Sequence, residues 1–418
     1  MRILWIKANK ILPVHSGGDI RSFNLLRQLA ANEKVTFLSY YDGAIDPHYE
    51  KELETVLPGS ICVCTGKRQH SALARGMDYL LRFQNAAPYS VSRFASSKVR
   101  RRLSESLERD NPDVVVCDFL DAAINFPEQI AIPSVLFQHN VESEIWRRHA
   151  ETTTSPVKKQ IYKLELAKML RYERATVRKF DRVIAVSEHD RSLMSAWVEP
   201  SRIDVVPTGV DLAQFHADEN SQPAGALVLF VGAMDWQPNI EAVEYFCEQV
   251  WPAITAKVPG ARFRIVGRSP DRRVQKLSSS SVEVTGSVPS VIEHLKQAAV
   301  VVVPLRIGGG TRLKIYEAMA AGKAVVSTTI GAEGLDVHHG SDIWLADEAD
   351  SLAKAVVSLL LDQDLRHKME IAAAAQARKF DWSAVAGKFR QALGNAVRSS
   401  RNQAPLSSAA AYQALRAE

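Results

Sequence analysis

The run Pro304-Leu-Arg-Ile-Gly308-Gly309-Gly310-Thr311-Arg312-Leu-Lys314-Ile-Tyr-Glu317 is the segment of this 418-residue chain best equipped for chemistry. Glycines let a backbone approach a ligand closely, and the unpaired amides of a helix's first turn attract anions. Arg312 and Lys314 add positive charge where it opposes the helix dipole, so a nearby phosphate would relieve an unfavourable arrangement. Glu317 follows one turn after Lys314. About 200° separates Arg312 from Lys314 on a regular helix, so both meet one ligand only if the first turn is irregular. The same residues also describe a plain loop and helix with a Lys314–Glu317 surface pair. The residues alone leave both readings open.

A second glycine turn, Pro13-Val-His-Ser-Gly17-Gly18-Asp19, comes after the apolar run Ile3–Ile6, and Asp19 suits the N-cap of a helix starting near Ile20. It lacks the G-x-G-x-x-G spacing, which argues against a nicotinamide cofactor. His139 directly follows the apolar run Val135–Gln138. Doubly wound sheets bind ligands beyond the carboxyl ends of their strands, and that position makes His139 a candidate. A lone histidine is otherwise more often a structural hydrogen-bonder. Cys62-x-Cys64 has no second cysteine pair and reads as packing, and His338-His339 lacks metal-site spacing. No metal or other cofactor is expected.

These candidates require strands to end beneath them and helices to begin beside them. Val/Ile-rich runs at Ile3–Ile6, Val35–Ser39, Val114–Cys117, Val135–Gln138 and Val183–Val186 read as strands of a parallel sheet covered on both faces. The pattern restarts with Leu227–Val231, Phe263–Val266, Val282–Val284, Val300–Val303 and Ala324–Ser327. Two βα series predict an α/β chain of two doubly wound domains. The expected division is a first domain at 1–211, a linker at 212–225 and a second domain at 226–380. A helix at 381–398 could cross back to the first domain, and 399–418 reads as a fraying tail. The long helix from Pro156 to Phe180 is expected to pack through Ile161, Leu164, Ala167, Met169 and Ala175.

With 46% hydrophobic and 24% charged residues, the composition is that of an ordinary water-soluble protein. No apolar run approaches the roughly 18 residues of a membrane span, and four cysteines cannot build a disulfide scaffold. The amino-terminal residues are charged too soon for a secretory leader, so a cytoplasmic location is expected. The net charge of +5 lies in residues 1–200, where 29 Lys and Arg face 24 Asp and Glu. The excess gathers in 67–102 and 158–182. Basic residues interleaved with Leu80, Leu81 and Phe83 suit an anionic membrane surface or an acidic glycan, or equally a solvated helix face. Nucleic acid is not expected, because no recognition motif accompanies the charge.

Taken in order, the landmarks resemble the family 4 glycosyltransferases over roughly residues 1–395. They are Gly17-Gly18, His139, Val186-Ser187 and Val206-Pro207-Thr208-Gly209-Val210-Asp211, then Phe230-Val231-Gly232, Ile265-Val266-Gly267 and Val284-Thr285-Gly286-Ser287-Val288. Glu317-Ala-Met-Ala-Ala-Gly322-Lys-Ala-Val-Val and Phe380-Asp381-Trp382 complete the set. The resemblance implies the GT-B architecture, two facing Rossmann-like domains with an interdomain cleft, and a retaining, metal-independent transfer from a nucleoside-diphosphate sugar. It implies that Glu317, matching the second glutamate of the family's E-x7-E signature, binds the ribose hydroxyls. Gly308, Gly309, Gly310 and Thr311 would cradle the diphosphate, Gly17, Gly18 and Gly232 would border the donor, and Val288 would lie by the base. His139 would stand next to the transferred sugar.

Two departures from the family pattern concern the donor site. Gly309 stands where the signature has its first glutamate, so the contact to the donor sugar's hydroxyls is altered. The usual Gly-Arg-…-Lys after the second domain's first strand reads Gly232-Ala-Met-Asp235-Trp236-Gln-Pro238-Asn239. Arg312 and Lys314 would restore that charge from another loop, as in a similar branch with a Gly-Gly-Gly-Thr-Arg-Leu-Lys segment that includes exopolysaccharide and lipopolysaccharide enzymes. The expected partners are a UDP- or GDP-sugar and a glycan or lipid-linked glycan acceptor. The rival readings are a nucleotide-sugar epimerase of the same fold and a non-catalytic scaffold that binds nucleotide sugars.

Overall fold

A computed structural model describes residues 1–14, 16–66, 77–79, 81–153, 155–218, 223–307 and 313–403. The chain divides into two units, residues 1–206 with 386–418, and residues 207–385.

The first unit is built on seven parallel strands: β1 (Arg2–Ala8), β2 (Lys34–Tyr41), β3 (Ile61–Cys64), β4 (Val114–Asp118), β5 (Ser134–Phe137), β6 (Arg182–Ala185) and β7 (Ile203–Val205). Their spatial order is β3-β2-β1-β4-β5-β6-β7, so the connections run outward in both directions from the β1/β4 pair. That reversal is the switch point where ligands of doubly wound sheets collect. Central strands are buried on both faces, and Trp5 of β1 sits in register with Phe37 and Val116. Phe389, from the final helix Trp382–Gln403, stacks on Trp5 with ring centroids 5.1 Å apart.

The second unit has six parallel strands: β8 (Leu227–Val231), β9 (Arg262–Val266), β10 (Val282–Gly286), β11 (Val300–Val303), β12 (Ala324–Ser327) and β13 (Trp344–Leu345). Their order is β10-β9-β8-β11-β12-β13, with its reversal at β8/β11. The all-valine β11 is fully buried, as a central parallel strand requires.

Two features differ from the sequence expectations. The division falls at Val206/Pro207, ahead of the turn-rich 212–225, because Leu212 and Phe215 pack into the second unit's core and Ala217 touches the backbone bend at Gly322. The helix Pro156–Lys179 is rotated relative to the expected stripe. It buries Glu165, Met169, Glu173, Thr176 and Val177, whereas Ile161, Ala167 and Ala175 face solvent. Its two inward carboxylates interrupt the apolar pattern from which the facing was read.

Candidate functional site

In the second unit, β8 delivers Gly232, whose amide donates to Val266 O at 2.9 Å. A Cβ at Gly232 would lie 2.7 Å from both Lys314 Nζ and Asn239 Nδ2, so a side chain there would displace the ammonium or the amide. Gly267, at the end of β9, is tighter still, because its Cβ would fall 1.6 Å from Gly232 O. Lys314 is the second residue of the helix Leu313–Ala320. It reaches back over the Phe230 ring, 4.4 Å from the centroid, and donates to Asn239 Oδ1 at 3.0 Å. The other end of the Asn239 amide donates to Ala233 O at 2.8 Å, which fixes which end faces the lysine. A cation on the β11 side is thereby held at the end of β8, where the family pattern had lost its own basic pair.

Glu317 lies one turn beyond Lys314, half-buried. Burial pushes its carboxyl up to about 7, with Lys314 pulling the other way. Gly322 ends this stretch with a φ of +68°, the left-handed bend expected of a glycine there. Val288 packs half-buried beyond β10, two strands away from β8 in the sheet order. Gly308, Gly309, Gly310, Thr311 and Arg312 lie outside the described residues.

In the first unit, the helix Gly17–Ala30 starts earlier than expected, with Ser16 rather than Asp19 as its N-cap. Ser16 Oγ accepts from the Asp19 amide at 3.1 Å and donates to Asp19 Oδ2 at 2.6 Å. Asp19 therefore sits in the first turn, where a carboxylate complements the dipole. Gly17 and Gly18 open the helix with amides that no preceding turn can satisfy. A Cβ at Gly18 would meet only Ser16 Oγ, at an ordinary 3.8 Å, so the fold itself does not demand glycine there.

His139 is buried, 7% exposed, just past the end of β5. Its Nε2 lies 2.6 Å from Asp118 Oδ1 and its Nδ1 2.9 Å from Arg21 Nη1. Arginine can only donate, so Nδ1 accepts, Nε2–H donates, and the ring is neutral. Burial lowers His139 to about 4 against the opposing pull of Asp118. Burial would raise Asp118, but Lys7 and His139 hold it well below the usual carboxylate range. Burial also lowers Arg21, to about 10, against the pull of Asp190 and Asp118. Trp5 Nε1 donates to Asp118 Oδ2 at 2.8 Å, and Lys7 Nζ lies 3.6 Å from that oxygen and 3.5 Å from Asp19. One polar chain thus joins β1, β4, the glycine turn and His139.

The segment after β5 is fixed from behind by Glu173. Its carboxylate accepts from Gln138 Nε2 at 3.1 Å and from the Glu142 and Ser143 amides at 2.8 and 3.0 Å. It thereby caps the helix Glu142–Thr152. Phe119 adopts a φ of +74° after β4, a conformation costing on the order of 1–3 kcal/mol, with its ring 5.4 Å from His139. Sequence reasoning missed Trp5, Lys7, Arg21, Asp118 and Asn239. The signal that could have found Lys7 and Asp118 is a charge near the end of a strand run that should otherwise be apolar, whereas Arg21, on the helix Gly17–Ala30, carries no such mark.

Other candidates are structural. Cys62 and Cys64 lie half-buried in β3, with the Cys62 thiol pushed up to about 11 by burial. His338 Nδ1 pairs with Asp342 at 2.8 Å.

Two doubly wound parallel sheets in one chain, each with candidate residues at the carboxyl ends of its strands, define the GT-B class of fold. Comparison with known proteins agrees. A sucrose-phosphate synthase from Thermosynechococcus elongatus superposes with a TM-score of 0.69 over 93% of this chain and 97% of its own, at 18% identity. An Anabaena protein crystallised with UDP and glucose gives 0.65 over 94% and 100%, at 15% identity. Residues 21–214 match the family model Glycosyltransferase Family 4, and residues 225–362 match Glycosyl transferases group 1. The chain belongs to the family 4 glycosyltransferases. An uncharacterized 44.6 kDa protein of the cps region of Klebsiella pneumoniae is 24% identical over 62% of this chain and 69% of its own. A phosphatidyl-myo-inositol mannosyltransferase of Mycolicibacterium smegmatis is 28% identical over 49% and 55%. A GDP-mannose:cellobiosyl-diphosphopolyprenol alpha-mannosyltransferase of Xanthomonas oryzae pv. oryzae is 28% identical over 50% and 57%. The chain therefore matches little more than half the length of these two mannosyltransferases.

Proposed function

We propose that this chain is a retaining, metal-independent glycosyltransferase of bacterial cell-surface polysaccharide synthesis. It moves a sugar from a UDP- or GDP-sugar to a glycan or lipid-linked glycan. The observation that carries the reading is Lys314 held by Asn239 against Gly232, with Glu317 one turn further on. A fixed ammonium at the end of β8 suits a diphosphate, and a carboxylate beside it suits a ribose diol. The mannosyltransferase relatives, one named for GDP-mannose and a diphosphopolyprenol acceptor, support the donor and acceptor classes.

In the transfer, the bond from the anomeric carbon to the diphosphate oxygen breaks. The acceptor hydroxyl bonds to the same face of that carbon, and its proton passes to the departing phosphate oxygen. The protein holds the reactants and offsets the charge that develops on the diphosphate. Lys314 and Arg312 supply that charge, Gly308–Thr311 cradle the phosphates, and Val288 borders the base. The first unit contributes Gly17, Gly18 and a neutral His139, which orients the sugar and does not itself take up a proton.

Thermal shift with UDP, GDP, ADP and NAD, then with sugar conjugates, tests the reading. A ligand at 100 times its Kd adds about 2.7 kcal/mol to stability. One nucleoside diphosphate should raise Tm in the wild type and much less in Lys314→Met. Release of that nucleotide only with a glycan acceptor completes the test. Sugar altered without acceptor identifies an epimerase, binding without any release identifies a scaffold, and a response to NAD alone overturns the reading.

A further inference from the structure

Half of the twelve large apolar side chains exposed among the described residues lie on two touching segments of the first unit. Met77, Leu81 and Phe83 are 66%, 81% and 47% exposed on one; Val157, Ile161 and Leu170 lie on the helix Pro156–Lys179. The segments are tied together: Tyr79 Oη donates to Glu165 at 3.3 Å, the Tyr89 amide donates to the same carboxylate at 2.9 Å, and Lys168 Nζ donates to Phe83 O at 2.6 Å. Within this stretch Arg82 donates to Asp78 and Ser92 O and Tyr89 donates to Asp78, while Leu81 and Phe83 stay exposed beside Gln84 and Asn85.

Charge on the helix is sorted in the same way. Its two carboxylates, Glu165 and Glu173, are buried and hydrogen-bonded inward. Lys158, Lys159, Lys163, Arg171, Arg174 and Arg178 are exposed, so the outward face carries cations and no anion. Arg171, Arg174 and Arg178, with Leu170 and Ala175, line a surface groove of about 380 Å³. Arg171 and Arg174 have no ion-pair or hydrogen-bond partner among the described residues. Within the described residues no helix is long and apolar enough to cross a membrane.

We propose that this face docks on the surface of an anionic phospholipid bilayer, with Leu81 and Phe83 entering the headgroup boundary and the helix cations above the lipid phosphates. Exposed apolar side chains beside a cation-bearing helix gain from a bilayer in two ways, by leaving water and by meeting negative charge. A dissolved polyanion would satisfy only the cations and leave the apolar side chains in water. The proposal stands apart from the transferase reading, because docking requires neither donor nor catalysis.

The test is co-sedimentation of the full chain with phosphatidylcholine vesicles containing about one third phosphatidylglycerol, against phosphatidylcholine alone. The wild type should sediment with the anionic vesicles only and be released by salt. Arg171→Glu plus Arg174→Glu should weaken partitioning about tenfold or more. Leu81→Ser plus Phe83→Ser should weaken it to a similar degree, about tenfold. Unchanged circular dichroism and unchanged thermal shift with nucleotide certify both variants as folded. Failure to sediment with anionic vesicles overturns the proposal, as does equal binding by the variants. Retention on a sulfated glycan matrix that the arginine variant loses and the Leu81/Phe83 variant keeps, without vesicle binding, assigns the face to a polyanion instead.

Discussion

Asn239 offers its amide oxygen to Lys314 Nζ at 3.0 Å while its amide nitrogen is anchored on Ala233 O at 2.8 Å. The lysine is thus aimed by a residue 75 positions away in sequence, itself only 3% exposed. Asn239→Ala should weaken nucleoside-diphosphate affinity about tenfold, the scale of one hydrogen bond to a charged group. Asn239→Asp should weaken it further, because a carboxylate there competes with the diphosphate for the ammonium. Titration calorimetry measures both. Wild-type affinity in Asn239→Ala would show that Lys314 needs no anchor.

Glycine substitutions separate packing from ligand approach. Gly267→Ala, with its Cβ 1.6 Å from Gly232 O, should destabilise the second unit by about 3 kcal/mol or more. Gly18→Ala has only a 3.8 Å contact to make and should leave Tm unchanged or slightly raised. If the Gly18 backbone borders the donor, turnover falls all the same. Denaturation paired with a transfer assay distinguishes the two outcomes.

Burial, helped by the nearby Arg21 and Lys7 cations, keeps the His139 ring neutral down to about pH 4 against the pull of Asp118. Nitrogen NMR should show a protonated Nε2, a bare Nδ1 and no titration between about pH 5.5 and 8. Because its pKa is lowered, the stability His139 contributes is complete above its ordinary value and is lost as pH falls toward 4. A ring that titrates near 6.5 would contradict this arrangement.

Glu317 behaves in the opposite sense. Its carboxyl is raised to about 7, so its contribution to the ligand-free fold is complete in acid and is lost as pH rises through 7. Ribose binding by the ionised form should therefore strengthen up to about tenfold from pH 6 to 8. Glu317→Gln should abolish that part of the pH dependence, leaving only the ligand's own titration. A calorimetric pH series on both proteins decides.

Central strands were legible in the sequence because burial on both faces demands runs such as Val300–Val303. The strands it did not reveal, β3, β7 and β13, are four, three and two residues long at sheet edges, half-exposed and weakly patterned. The facing of the helix Pro156–Lys179 was misread because buried Glu165 and Glu173 occupy core positions. Lys314 and Glu317 announced themselves through the glycine loop and helix around them. Asp118, Arg21 and Asn239 did not, since each matters through one contact with a partner that only the fold brings near. Nothing in their local sequence encodes that partner.

Phe389 on Trp5 has a consequence for how the molecule is made. Trp5 leaves the ribosome long before Phe389, whose ring stacks on it. The final helix from Ala386 belongs to the first unit, so that unit is completed only after the second, encoded between its two parts, has emerged. Until then the β1 tryptophan lacks part of its cover, a state in which an incomplete amino-terminal domain must wait while the intervening one folds.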